Sequence, residues 1–198
     1  MKKTHYIKQI NQRDIQSMQT MRCCGYMNRT QLKHFLTDSR IKAFCHEGVI
    51  ERCLYQRRKK QIECYRFSRR GFQWCEKHIE EMNSRSLYRS ASPLHDMAIT
   101  NKYLSLPIEQ RETWRTEQEL RSQFEQMLDK LREEDFSRWV QLKEMWEQNQ
   151  ISVPDGAYQD GERIVLFECV TNNYGEVELQ AKEEFSLAMQ LEIQYQKI

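Results

Sequence analysis

The residues whose types and spacing permit chemistry lie in the stretch ISVPDGAYQDGERIVLFECVTNN, at 151–173. It reads as two short strands joined by a Gly-containing turn, with Asp155 ending the first and Glu168 inside the second. Two carboxylates at that separation offer oxygen ligands to a hard divalent cation such as Mg²⁺. A cation held this way can drive cleavage of a phosphodiester. The same two acids can also be the remains of such a site, in a protein that holds DNA without cutting it.

The rest of the chain has to position this pair. At 198 residues it is long enough for one domain with a substantial core, or for two small ones. Charge is high and mean hydropathy is −0.87. No apolar run approaches the roughly 18 residues that span a bilayer, and MKKTHYIKQINQRD lacks the apolar segment of a secretion signal. The expectation is a cytoplasmic protein with no membrane partner. Seven cysteines, with no C-x-x-C pair, fit buried free thiols in that compartment. Cys75 and His78 supply only half of a zinc site.

The small net charge of +2 conceals a division. Residues 1–90 hold 20 Lys and Arg against 8 Asp and Glu, a balance of +12, whereas residues 91–198 carry −10. A basic unit that binds a polyanion therefore precedes a separate acidic unit.

Within the basic half, Ile15, Met18 and Met21 recur at helical spacing, giving a first helix over about 14–24 that stops at Gly25. A second begins near Thr30, with Leu32, Phe35 and Leu36 on its apolar side. The third follows the capping candidates Thr37, Asp38 and Ser39. It faces Ile41, Phe44 and Cys45 inward and Arg40, Lys42 and His46 outward, with Lys33 nearby. VIERCLY and QIECYRF then read as two strands around QRRKK, a hairpin tipped by Arg57, Arg58, Lys59 and Lys60, and SRRGFQWCEKHIEEM returns to a helix. The sum over 1–82 is a winged helix-turn-helix, whose third helix enters the major groove and whose wing lies along the phosphates. Double-stranded DNA is the expected partner, with Lys33, Arg40, Lys42, Arg57, Arg58, Lys59 and Lys60 as the contacts.

The Ser- and Arg-rich stretch 83–93 reads as a linker, and a second domain is expected over 94–198, starting with a helix that carries His95 and Asp96. Thr116 and Glu119 form a capping box ahead of the stripe Leu120, Phe124, Leu128 and Leu131. A further helix surrounds Trp139 and Trp146. The two strands follow, then a helix over YGEVELQAKEEFSLAMQ and a closing strand LEIQYQ. This order gives a small α/β layer with a mixed sheet, and the whole chain is α+β.

Pro154-Asp155-Gly156, a short hairpin and Phe167-Glu168-Cys169-Val170 in a buried strand resemble the core of the PD-(D/E)xK nucleases. More narrowly, a winged helix followed by TEQELR, VPDG and FECVTNN is similar to the plasmid replication-relaxation family, over nearly the whole chain. The resemblance implies Asp155 and Glu168 as Mg²⁺ ligands and Glu117 as an assisting helix acid. It also implies a Lys two residues after the Glu, and there this chain has Val170. Lys182, on the following helix, is the candidate replacement, and an i,i+4 ion pair with Glu178 is its alternative explanation.

Two functions are weighed on this reading, and a protein-interaction adaptor whose acidic domain mimics or recruits a partner stays open as a third. One is a DNA-binding protein of a mobile element or phage, acting in transcription, replication or transfer, with a degenerate nuclease-like domain. The other is a Mg²⁺-dependent endonuclease or nickase using Asp155, Glu168, Glu117 and Lys182. The amphipathic segment 116–148 has enough Leu, Trp and Met to pair with a second copy as a homodimer.

Overall fold

The computed structural model describes residues 6–57, 60–82, 87–88, 92–171 and 174–198. The chain is α+β and divides into two compact units, Met1–Ser105 and Leu106–Ile198.

In the first unit, helix α1 (Gln12–Cys24) begins at a capping box. The Asn11 side chain accepts from the Asp14 N–H, and the Asp14 carboxylate accepts from the Asn11 N–H. It stops at Gly25, where φ is +80°. The two-residue strand β1 (Met27–Asn28) leads into α2 (Arg29–Leu32), then α3 (Asp38–His46), whose first turn is capped by Thr37. Strands β2 (Ile50–Arg57) and β3 (Lys60–Phe67) form an antiparallel hairpin, and β1 adds to it in the order β1-β3-β2. Helix α4 (Gly71–His78) and a 3₁₀ turn (Glu80–Met82) follow. Met18, Met21, Met27, Leu32, Phe44, Ile50, Cys75 and Met82 are sealed in one core between these elements.

Helix α5 (Pro93–Ser105) belongs to this first unit, which corrects the expected boundary after residue 93. Gln31 Nε2 donates to the Met97 carbonyl and to Asn101 Oδ1, both at 2.7 Å. The Tyr26 N–H donates to Asp96 Oδ2, and Thr100 Oγ1 donates to the Tyr26 carbonyl. These bonds join α5 to the β1–α2 segment while Met97, Ile99 and Tyr103 lose their solvent. The second helix is also shorter than expected. A box between Asn28 and Gln31 starts it one residue before Thr30, and it ends after a single turn, although Phe35 and Leu36 are still buried.

The second unit runs α6 (Ile108–Glu112), β4 (Arg115–Thr116), α7 (Glu117–Glu134), α8 (Phe136–Glu147), β5 (Gly156–Asp160), β6 (Arg163–Val170), α9 (Glu176–Met189) and β7 (Glu192–Lys197). Its sheet has the order β4-β5-β6-β7. The first two pairings are antiparallel, and β6 and β7 are parallel, which requires the crossover that α9 provides. Thr116 and Glu119 make the anticipated capping box, so Leu120, Phe124 and Leu128 face the sheet. There they meet Ala157 and Leu166 of the strands and Phe185 of α9. On the other face, Trp114 stacks on Tyr158 and touches Phe167. A Cβ at position 156 would lie 2.6 Å from the Trp114 ring, so only Gly fits there. Covered on both faces, β6 is buried from Val165 to Val170.

Among the described residues, no helix is long and apolar enough to cross a membrane.

Candidate carboxylate and lysine site

Asp155 does not end a strand. It precedes β5, whose first residue Gly156 pairs with Phe167, and this register sets Asp155 beside Glu168 and Cys169. Two hydrogen bonds lock the arrangement. The Asp155 N–H donates to Glu168 Oε2 at 3.1 Å, and the Cys169 N–H donates to Asp155 Oδ2 at 2.8 Å.

Glu168 shares its side of β6 with Leu166, the side covered by α9. The approach of α9 is fixed by the Ser152 N–H donating to the Ala181 carbonyl at 2.9 Å. One residue on, Lys182 points inward. Its Nζ donates to the Val153 carbonyl at 2.7 Å and lies 3.1 Å from Glu168 Oε2. The i,i+4 pair with Glu178 does not form, because the Glu178 carboxylate accepts the Gly175 N–H at the start of α9. Tyr174 completes the group by donating its hydroxyl to Glu168 Oε1 at 2.7 Å. Asp155, Glu168 and Lys182 are 6, 0 and 8 % exposed.

Charge in so dry a place is costly. Burial pushes the Glu168 carboxyl above its ordinary range, and the neighbouring Asp155 charge adds to this. Lys182 and the hydrogen bonds from Tyr174 and Lys182 pull the other way. Burial, then the Glu168 charge, raises the Tyr174 phenol, so it stays protonated and donates.

Glu117 does not join the cluster. Thr116 pairs with Gly156, so α7 starts beside Asp155, but the Glu117 carboxylate lies on the helix surface and pairs with Arg121 at 3.2 Å. Among the described residues, no three His, Cys, Asp or Glu side chains gather as a metal cluster. The site is two acids and an amine, with Asn172 and Asn173 outside the described residues. Tyr174 is the member that sequence reasoning misses. Its signal is its place between a buried strand and the start of a helix, six residues after the acid it contacts.

The residues expected to meet DNA divide similarly. Arg57 and Lys60 are exposed and oppose one another at the hairpin tip, while Arg58 and Lys59 lie outside the described residues. Lys42 is exposed on α3. Lys33 is exposed too, 3.5 Å from Asp38. Arg40 departs from the expectation. Its Nε and Nη2 hold the two oxygens of Asp14 at 2.9 and 2.6 Å, and Nη2 also donates to the Gln9 carbonyl. Asp14 is buried, and this bidentate pair neutralises it. Arg29 and Arg52, which the sequence does not single out, line a cleft of about 380 Å³ with Lys42 and His46. Arg29 pairs with Asp38 at 2.8 Å and Arg52 with Glu63.

Set against known proteins, the chain matches no family model, no curated protein and no solved structure.

Proposed function

We propose that this chain is a DNA-binding protein whose first unit is a winged helix and whose second unit is a degenerate relative of the PD-(D/E)xK nucleases. The observation that carries the reading is the order α1, β1, α2, α3, β2, β3 with exposed cations on α3 and at the hairpin tip. In that arrangement α3 addresses the major groove and the hairpin follows the phosphates. The charge division of +12 and −10 supports DNA contact by the first unit. The role proposed, in transcription, replication or transfer of a mobile element or phage, rests on the resemblance of TEQELR, VPDG and FECVTNN alone. Degeneracy is supported by Val170 at the place of the usual Lys and by Glu168, whose oxygens are both engaged within the protein. The test is duplex binding by the full chain over a range of salt, with Arg57, Arg58, Lys59 and Lys60 all changed to Gln in one variant. The expected result is weaker binding and a log K against log salt slope shallower by about 0.9 for each phosphate that is no longer neutralised. An unchanged slope would remove the hairpin from the interface.

One observation favours a second reading, a Mg²⁺-dependent endonuclease or nickase: Lys182 supplies its amine to Glu168 from α9. The donor chemistry suits the ion. Two carboxylates with water completing the shell are a common Mg²⁺ environment. Asp155 and Glu168 would hold the ion, which when bound would acidify a water and stabilise charge on the phosphate. Lys182 would orient the nucleophile or donate to the phosphate. Plasmid nicking in Mg²⁺ or Mn²⁺ that disappears in Asp155→Ala would make this the primary function. No nicking by the wild type would leave the binding role alone.

A further inference from the structure

We infer that Tyr174 governs access of a divalent cation to Glu168: its hydroxyl is bound to Oε1, an oxygen that an incoming ion would use. The inference rests on the metal-binding reading of Asp155 and Glu168, and adds to it the residue that opposes loading.

The two Glu168 oxygens are used differently. Oε2 takes the Asp155 N–H and the Lys182 amine, both 3.1 Å away. The first belongs to the β5–β6 register, and the second is a side chain that the Val153 carbonyl also holds. Oε1 has the Tyr174 hydroxyl at 2.7 Å, carried by one half-buried side chain at the junction of β6 and α9. A carboxylate oxygen that accepts a short, charge-assisted hydrogen bond has to give it up before coordinating a cation along the same lone pair. Rotation of the phenol therefore frees Oε1 while the Asp155 N–H and the Lys182 amine stay on Oε2. Asp155 already lies beside Glu168, its N–H on Oε2.

This arrangement separates two roles that a single deletion would confuse. If the phenol only props Glu168 for loading, its loss weakens metal binding. Where it competes with metal, its loss strengthens binding. Removing the hydroxyl also removes a bond that favours the ionised carboxylate, so affinity is compared at a pH well above the ordinary Glu range.

The experiment is Mn²⁺ binding to the full chain without DNA, followed by the fraction of free ion in electron paramagnetic resonance, at pH 8. The proteins are wild type, Tyr174→Phe, and Tyr174→Phe combined with Glu168→Gln. The expected result is Mn²⁺ bound about tenfold more tightly by Tyr174→Phe, the size expected for freeing one hydrogen bond to a charged group, with the gain lost in the double variant. Equal or weaker binding in Tyr174→Phe overturns the inference and leaves the metal site standing. Absence of binding in both wild type and Tyr174→Phe overturns the inference together with the metal reading. Should the Phe variant not fold, the wild type answers alone. Tyr174-Gly175 is the only Tyr-Gly step in the sequence, so labelling Tyr carbonyls with ¹³C and Gly nitrogens with ¹⁵N isolates the Gly175 amide. Millimolar Mg²⁺ should shift that resonance as Tyr174 leaves Glu168, and a resonance that stays fixed overturns the inference.

Discussion

Lys182 reaches Glu168 from α9, with its Nζ 3.1 Å from Oε2, although the position two residues along β6 from Glu168 is Val170. The side chain of residue 170 projects to the same face as that of 168, one pleat further along. An amine arriving from the covering helix can take up a comparable place without any Lys on the strand. The buried cation beside Glu168 therefore comes from the covering helix. Its neighbours explain why it stays there: the Val153 carbonyl and Glu168 both accept from it within a dry interior.

The first prediction concerns that pair. Changing Lys182 to Met leaves Glu168 buried beside Asp155 with no cation, and loss of one partner of a buried ion pair costs about 3–5 kcal/mol. The double change Lys182→Met, Glu168→Gln should recover part of that loss, because no uncompensated carboxylate remains at 168. Urea denaturation of the wild type, both single variants and the double variant measures the coupling. Additive losses would show that the two side chains do not interact.

A second prediction follows from the raised pKa of Glu168, which burial causes first and Asp155 reinforces. The folded state holds this proton more tightly than the unfolded chain, whose Glu titrates near 4.5. The sign is therefore the reverse of an ordinary salt-bridged acid. The stabilising contribution of the protonated group is complete below 4.5 and is lost as pH rises through the higher folded value. Stability of the wild type relative to Glu168→Gln should fall across that window and level off above it. A difference that is flat from pH 4 to 8 would show that Glu168 titrates alike in both states.

Features set by near neighbours are the legible ones. The Thr116 and Glu119 box and the stripe Leu120, Phe124 and Leu128 lie within one helix, where spacing determines the face. The paired strands around 57–60, and the α9 crossover into β7, are likewise visible as changes of period. Partners chosen by the tertiary fold are not. Glu178 is four residues from Lys182, but a backbone N–H at Gly175 claims it first. Arg40 is on a polar helix face by periodicity, yet its partner Asp14 lies 26 residues back. The 83–93 composition suggests a boundary, while the contacts that seat α5 come from Tyr26 and Gln31. Of the opening pair, proximity follows from a hairpin, but the direct Asp155 N–H contact depends on a register that sequence does not specify.

Gly25 provides a third prediction, on the seat of α5. Its φ is +80°, and a Cβ there would lie 2.1 Å from Asp96 Oδ2 and 3.3 Å from the Tyr88 ring. Asp96 cannot retreat freely, since it accepts the Tyr26 N–H. Gly25→Ala should destabilise the protein by about 2 kcal/mol or more, combining the cost of positive φ with the clash. Gly48 has φ +70°, and a Cβ added there would meet nothing within 4 Å, so Gly48→Ala should cost about 1 kcal/mol, from backbone strain alone. Thermal melts of both variants make the comparison, and equal losses would mean that Asp96 moves aside.

The fourth prediction separates two cations of α3 that periodicity treats alike. Arg40 binds both oxygens of the buried Asp14, so Arg40→Ala should cost about 3 kcal/mol of stability through the carboxylate it strands. Arg40→Lys should restore only part, because an ammonium cannot reproduce the two-pronged contact. Lys42 is exposed, and Lys42→Ala should change stability by no more than about 0.5 kcal/mol. On DNA the order inverts. Lys42→Ala should weaken duplex binding and flatten the salt dependence by about 0.9 in slope if it meets a phosphate. Arg40→Lys, once folded, should leave that slope unchanged. Urea melts and salt-dependent binding isotherms on the same three proteins supply both readings. A slope reduced by Arg40→Lys but untouched by Lys42→Ala would mean that α3 presents a different face to the duplex.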